Sequence, residues 1–202
     1  MPLTSEGPHA TQHLFDQEKL TRLQKNCLLV NAARGPVINN KDLLEVIDQR
    51  PDLTVFLDTW ENEPGISREL LAKVDLATPH IAGYSVEGRL RGTQMILDAA
   101  ARHFGSTSPW HMARLLPETI ELNLRPAIND LEYWQRVFSG HHDIWVDHQA
   151  LTQTGKMGDE DFTRHFDSLR RVYQDRFEYD RYRLTNVQKK QPAIARGLGF
   201  KV

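Results

Sequence analysis

The sequence predicts an α/β fold with a parallel sheet, and three stretches predict it. The first is the apolar run Cys27-Leu28-Leu29-Val30, which closes in Asn31-Ala32-Ala33-Arg34-Gly35. The second runs from Leu53 to Asp58 and ends in Glu61, Glu63 and Pro64; the third runs from Val74 to Gly83 and contains His80. Between the first two, residues 41–49 place Leu43, Leu44 and Ile47 on one helical face, while residues 67–73 leave room for a short helical turn before the third. Strand, helix, strand is the order of parallel pairing, and parallel strands buried on both faces read as near-continuous apolar runs. Such sheets carry their chemistry at the carboxyl ends of the strands. Arg34, Asp58, Glu63 and His80 all fall there.

These residue types suit one chemistry. An arginine on the turn after a strand grips a carboxylate through two parallel N–H···O bonds, fixing an acid in orientation as well as in place. A histidine exchanges protons near neutral pH, and a carboxylate at its second nitrogen fixes the tautomer and steadies the imidazolium. Arg34 would then anchor an acid, His80 would take a proton from the neighbouring hydroxyl, and Glu63 would support His80.

Three signatures carry a resemblance. Asn31-Ala32-Ala33-Arg34-Gly35, Leu57-Asp58-Thr59-Trp60-Glu61-Asn62-Glu63-Pro64 and Thr78-Pro79-His80-Ile81-Ala82-Gly83, in this order and spacing, resemble the NAD-dependent D-isomer-specific 2-hydroxyacid dehydrogenases. The resemblance implies a catalytic set of Arg34, Glu63 and His80, and NAD as cofactor, touched by Ala33, Asp58 and Gly83. Trp60, Tyr84, the stretch from Glu87 to Thr93 and the tail from Leu115 resemble a branch of the family that acts on a small phosphorylated 2-hydroxy acid. There Arg34 and Tyr84 would contact the substrate. Two alternatives stay open: a family member acting on glycerate or phosphoglycerate, and a non-catalytic, corepressor-like dimerising module.

The implied organisation is the C-terminal half of a doubly wound, Rossmann-like NAD-binding domain over residues 1–84. A connecting helix and linker would occupy 85–108, and a small α+β dimerisation domain, through which the chain forms a homodimer, 109–202. A dinucleotide fold ordinarily opens on a Gly-x-Gly-x-x-Gly turn, and this sequence has none, so the chain reads as a piece of a longer protein.

Composition adds exclusions. The formal charge is −2 over 202 residues, with no basic asymmetry to suggest nucleic acid and no apolar run near the roughly 20 residues of a membrane helix. The single cysteine, Cys27, reads as a small apolar strand residue, which suits a reducing cytoplasm. His141, His142, Asp143, Asp147 and His148 lack ligand spacing and read as a solvated loop, with no metal.

The remaining elements follow from caps and periodicity. Asp16 caps a helix running to about Lys25, Asn39 or Asn40 caps the next, and Ser85 caps a helix with Val86, Leu90, Thr93, Leu97, Ala100 and Phe104 in register and Gly105 as its stop. Residues 106–109 read as a linker. Asn129 and Asp130 open a helix carrying Leu131, Trp134, Val137 and Phe138. Residues 160–176 form the clearest helix, with Phe162, Phe166, Leu169, Tyr173 and Phe177 as its stripe, and 182–187 alternate as a strand.

Overall fold

The computed structural model describes residues 1–108, 110–155, 157–187 and 191–202. It divides into two compact units. The first joins Met1–Ala82 to Ile144–Tyr173, and the second joins Gly83–Asp143 to Gln174–Val202.

In the first unit, Asp16 caps α1 (Gln17–Thr21) by accepting from the Lys19 N–H, as its sequence position requires. The helix stops at Arg22, short of the expected Lys25. The chain then turns through Asn26, in the left-handed region at φ 59°, into β1 (Leu28–Asn31). Asn39 caps α2 (Asn40–Gln49) with its side-chain oxygen on the amides of Lys41 and Asp42. β2 (Thr54–Leu57) follows, and Ser67 caps the one-turn α3 (Arg68–Leu71) ahead of β3 (Leu76–Ala77). The three strands pair in parallel in the order β1-β2-β3, with Leu28 opposite Thr54 and Phe56 opposite Leu76. The parallel α/β pattern is therefore as the sequence predicts, but burial on both faces is not. At the edge, Leu28 and Val30 of β1 are 54% and 55% exposed, while Leu29 and Asn31 are buried.

The sequence reading divides the chain at 84 and 108, whereas the structure returns to the first unit at Ile144. α6 (Ile144–Thr152), in the stretch expected to be a solvated loop, packs beside β3, and α7 (Asp159–Arg171) packs on α6. Hydrophobic burial dictates the return. Leu151, Phe162 and Phe166 close one core with Leu20, Leu43, Val46, Val55, Leu57 and Leu70, each such side chain contributing about 1.5–3 kcal/mol when fully buried. The expected stripe on residues 160–176 is thus shared out. Phe162 and Phe166 are covered by the first unit, the helix ends at Arg171, and Phe177 packs against the other core.

In the second unit, Ser85 caps α4 (Val86–His103) and Gly105, at φ 61°, follows its end. The side chains buried on α4 are Glu87 and Gln94, while Phe104 is 78% exposed, so the expected apolar stripe is not the buried face. β4 (Ile120–Asn123) lies parallel to β5 (Tyr182–Thr185). α5 (Asp130–His141), capped by Asn129, and α8 (Pro192–Gly197) complete the unit. Its core holds Leu124, Tyr133, Val137, Tyr182, Leu184, Ala195 and Phe200, whereas Leu131, expected on the α5 stripe, is 70% exposed. Position 109, the end of the expected linker and start of the expected tail domain, lies outside the described residues. No helix among the described residues is long and apolar enough to cross a membrane.

Candidate active site

The carboxyl ends of β1, β2 and β3 are tied together by Asn31 and Asp58, two buried polar residues at strand ends. The Asn31 side-chain amide donates to the Arg34 carbonyl at 2.9 Å and its oxygen accepts the Ala33 N–H at 3.2 Å, shaping the turn after β1. Gly35 is required in that turn, because a Cβ there would lie 1.8 Å from the Trp60 carbonyl oxygen. Asp58 does the same work for the loop after β3. Its Oδ1 accepts the Thr78 hydroxyl at 2.6 Å and the Ile81 N–H at 2.7 Å, its Oδ2 accepts the Ala82 N–H at 3.1 Å, and its carbonyl accepts the His80 N–H at 2.7 Å. The Trp60 indole N–H adds a bond of 3.0 Å to the Thr78 carbonyl.

This bracing holds His80 at φ 56°, in the left-handed region that a non-glycine residue occupies at a cost. The result is the pair that the sequence suggests: His80 Nδ1 lies 2.7 Å from Glu63 Oε2. The other oxygen of Glu63 accepts the Trp60 N–H at 2.8 Å. An ionised carboxylate only accepts, so Nδ1 carries the proton and Nε2 is left as the ring's basic nitrogen. The Glu63 and His80 side chains are 17% and 29% exposed. Arg170, on α7, brings Nη1 to 4.0 Å from the same Glu63 Oε2.

The other candidates are placed differently. Arg34 is exposed, and its guanidinium donates to the Ala33 carbonyl at 2.6 Å rather than to the His80–Glu63 pair. Ala33 lies half-buried in the turn braced by Asn31. Gly83 is exposed and Tyr84 half-buried; both belong to the second unit. The polar stretch 141–148 has been put to structural use: His148 Nδ1 accepts the Ala77 N–H at 3.0 Å, and His141 Nε2 lies 2.9 Å from the Phe177 carbonyl. Among the described residues no cluster of three histidine, cysteine, aspartate or glutamate side chains could hold a metal ion.

Sequence reasoning misses Asn31, Thr78 and Arg170. Asn31 and Thr78 are polar residues at the ends of apolar runs, which is the visible signal for them. It also misses a second imidazole–carboxylate contact, His13 Nε2 to Glu61 Oε1 at 2.7 Å, where Glu61 Oε2 accepts the Asn40 N–H and the Glu61 N–H donates to Asn40. That network ties the 58–64 segment to the start of α2.

Comparison with known proteins gives a family match and a set of relatives. Residues 2–82 match the family described as D-isomer specific 2-hydroxyacid dehydrogenase, NAD binding domain. The erythronate-4-phosphate dehydrogenase of Serratia proteamaculans is 35% identical over 201 residues, covering 98% of this chain and 52% of that protein. The enzyme of the same name from Chromohalobacter salexigens is 37% identical over 207 residues, covering 100% and 53%, and that from Idiomarina loihiensis is 41% identical over 175, covering 86% and 44%. A solved D-mandelate dehydrogenase of Rhodotorula graminis aligns at a TM-score of 0.42 with 30% identity, covering 48% of this chain and 29% of its own. The chain thus spans about half the length of the curated relatives it matches. Over residues 2–82 it matches the NAD binding domain of the D-isomer specific 2-hydroxyacid dehydrogenases, a family of NAD-dependent oxidoreductases, and over nearly its whole length it is similar to erythronate-4-phosphate dehydrogenases.

Proposed function

We propose that these residues supply the acid–base half of an NAD-dependent oxidation of 4-phospho-D-erythronate to 2-oxo-3-hydroxy-4-phosphobutanoate, a step of pyridoxal 5'-phosphate biosynthesis in the cytoplasm. The observation that carries the reading is the 2.7 Å contact between His80 Nδ1 and Glu63. With its Nδ1 proton committed to a carboxylate, His80 offers Nε2 to the hydroxyl at the carbon being oxidised and takes its proton as the C–H bond breaks. Glu63 stabilises the imidazolium so formed. Arg34 anchors the substrate carboxylate through a paired contact, turning from the Ala33 carbonyl to do so, and Tyr84 reaches the phosphorylated end.

NAD, when bound, takes the hydride. The residues present fit it: among the described residues Asp58 Oδ2 accepts one N–H, from Ala82, and so retains a lone pair for an amide donor. Among the described residues no atom lies within 4 Å of where a Gly83 Cβ would be, which leaves the backbone there open to a flat ring. Ala33 completes the contact from the turn after β1. The protein acts as a homodimer in this reading, with residues 109–202 as the dimerising part.

The test is a chimera in which this chain replaces the matching half of the Serratia proteamaculans enzyme. We expect NAD reduction with 4-phospho-D-erythronate in preference to D-glycerate and 3-phospho-D-glycerate. His80→Ala should lower the rate about 10²- to 10⁴-fold, and Glu63→Gln should lower it less. An unchanged rate in His80→Ala removes His80 from the mechanism, and preference for glycerate or phosphoglycerate overturns the substrate.

A further inference from the structure

The carboxylate that orients His80 also faces a fixed positive charge from a distant part of the chain. Arg170 Nη1 lies 4.0 Å from Glu63 Oε2, the oxygen that receives His80 Nδ1. The two contacts differ in kind. At 2.7 Å the imidazole hydrogen-bonds Glu63, whereas at 4.0 Å the guanidinium acts through charge alone. Both groups are largely shielded, Arg170 at 28% exposure and Glu63 at 17%, so the interaction is screened less than a surface pair.

The placement of Arg170 is set by packing. Phe162, Phe166 and Arg170 follow one another at intervals of four on α7, so one stripe carries all three. Phe162 and Phe166 are 2% and 0% exposed in the core shared with the sheet, and they fix the rotation of the helix about its axis. Arg68 adds a clamp, with Nη1 donating to the Met157 carbonyl at 2.6 Å and its guanidinium 5.3 Å from the centre of the Phe162 ring. Arg170 also sits in the last turn of a helix whose first turn holds Asp159, Glu160 and Asp161, a distribution that suits the helix dipole.

The geometry points to Arg170 as a positioning residue for the His80–Glu63 pair. Its charge draws on the Glu63 carboxylate and holds Oε2 in place beside the imidazole, so that the Nδ1–H tautomer persists and Nε2 stays the ring's free nitrogen. The inference rests on the acid–base role proposed for His80, but it concerns the free protein and is testable without turnover. α7 is thereby part of the catalytic apparatus as well as of the core.

The experiment uses the full chain and the proton resonance of the His80 imidazole Nδ1–H, identified by its absence in His80→Ala. In the unaltered chain we expect this proton to be protected from solvent exchange by its bond to Glu63. We expect Arg170→Gln and Arg170→Met, the latter keeping most of the apolar stem, to lose the resonance to exchange while the amide spectrum of β1, β2 and β3 is kept. Arg170→Lys should retain it. Persistence of the resonance in either folded neutral variant overturns the proposal, and so does its loss in Arg170→Lys, since the guanidinium's shape rather than its charge would then matter. The His80→Ala rate in the chimera tests the underlying reading separately: a failure there leaves the resonance experiment unaffected, and the reverse also holds.

Discussion

At the scale of single residues, Asp58 shows how a strand-end carboxylate acts through what it braces. Three donors, the Thr78 hydroxyl and the amides of Ile81 and Ala82, converge on its two oxygens, and its carbonyl holds the His80 amide. Asp58→Asn would turn an amide N–H₂ toward donors that need an acceptor. Leaving a buried polar group without a partner costs roughly 1–3 kcal/mol. We predict a loss of that size in urea unfolding, accompanied by displacement of the His80 ring, seen as loss of its Nδ1–H resonance. Wild-type stability in Asp58→Asn would refute the bracing role. His80, Glu63 and Asp58 are all legible in the sequence as chemically able residues at strand ends. The bracing itself is not, because two of the three donors to the Asp58 carboxylate are backbone amides, which any residue supplies. Arg170 is illegible for a different reason: it lies 107 positions from its partner Glu63 and in sequence is one of two adjacent arginines closing an amphipathic helix.

At the scale of elements, local signals succeed and tertiary ones fail. The caps Asp16, Asn39, Ser67, Ser85 and Asn129 all accept from amides in the first turn that follows them, because a cap is a contact made within four residues. α6 escaped notice because Ile144, Trp145 and Val146 are consecutive apolar residues with no helical period, and its histidine reads as polar surface until Ala77 is found bonded to it. β4 is four residues long, and its partner β5 begins almost sixty residues later. The last residue of α5 is His141, whose ring meets Tyr179 and Tyr182 edge-on at 4.6 and 4.7 Å.

Burial pushes the His141 imidazole below its ordinary value of 6.5, opposed by the bond to the Phe177 carbonyl. The folded ring is thus harder to protonate than the unfolded one. Stability associated with His141 is complete above 6.5 and is lost as pH falls from there toward the folded value. We predict that thermal melting of the protein drops between pH 7 and pH 5 by more than it does in His141→Gln. Equal drops in the two proteins would rule His141 out as the source.

At the scale of the whole molecule, the feature that sequence reading does not reach is the interleaving of the two units. Composition shifts after Gly105 and the resemblance both suggest a tail separate from the sheet, yet residues 144–173 supply Leu151, Phe162 and Phe166 to the core of the sheet unit. A linear reading assigns core residues to their neighbours in sequence, whereas hydrophobic surface is covered by whatever fits it. Phe166→Ala should therefore cost about 3–5 kcal/mol, as large buried aromatics do. Its effect should appear in amide exchange of β1, β2 and β3, which precede Phe166 by about ninety residues or more in sequence. Unchanged protection of those strands would show that α7 is not part of their core.

The same interleaving sets a timetable for synthesis. His80 and Glu63 leave the ribosome well before Phe166 and Arg170 have been joined to the chain, an interval of several seconds at about 5–20 residues per second. Through that interval the three strands exist without α6 and α7, with the apolar surface those helices later cover still in water. The first unit completes its core only after residues 83–143 have been made, so its folding waits on a segment that belongs to the second unit, and the Glu63 carboxylate gains its guanidinium neighbour last.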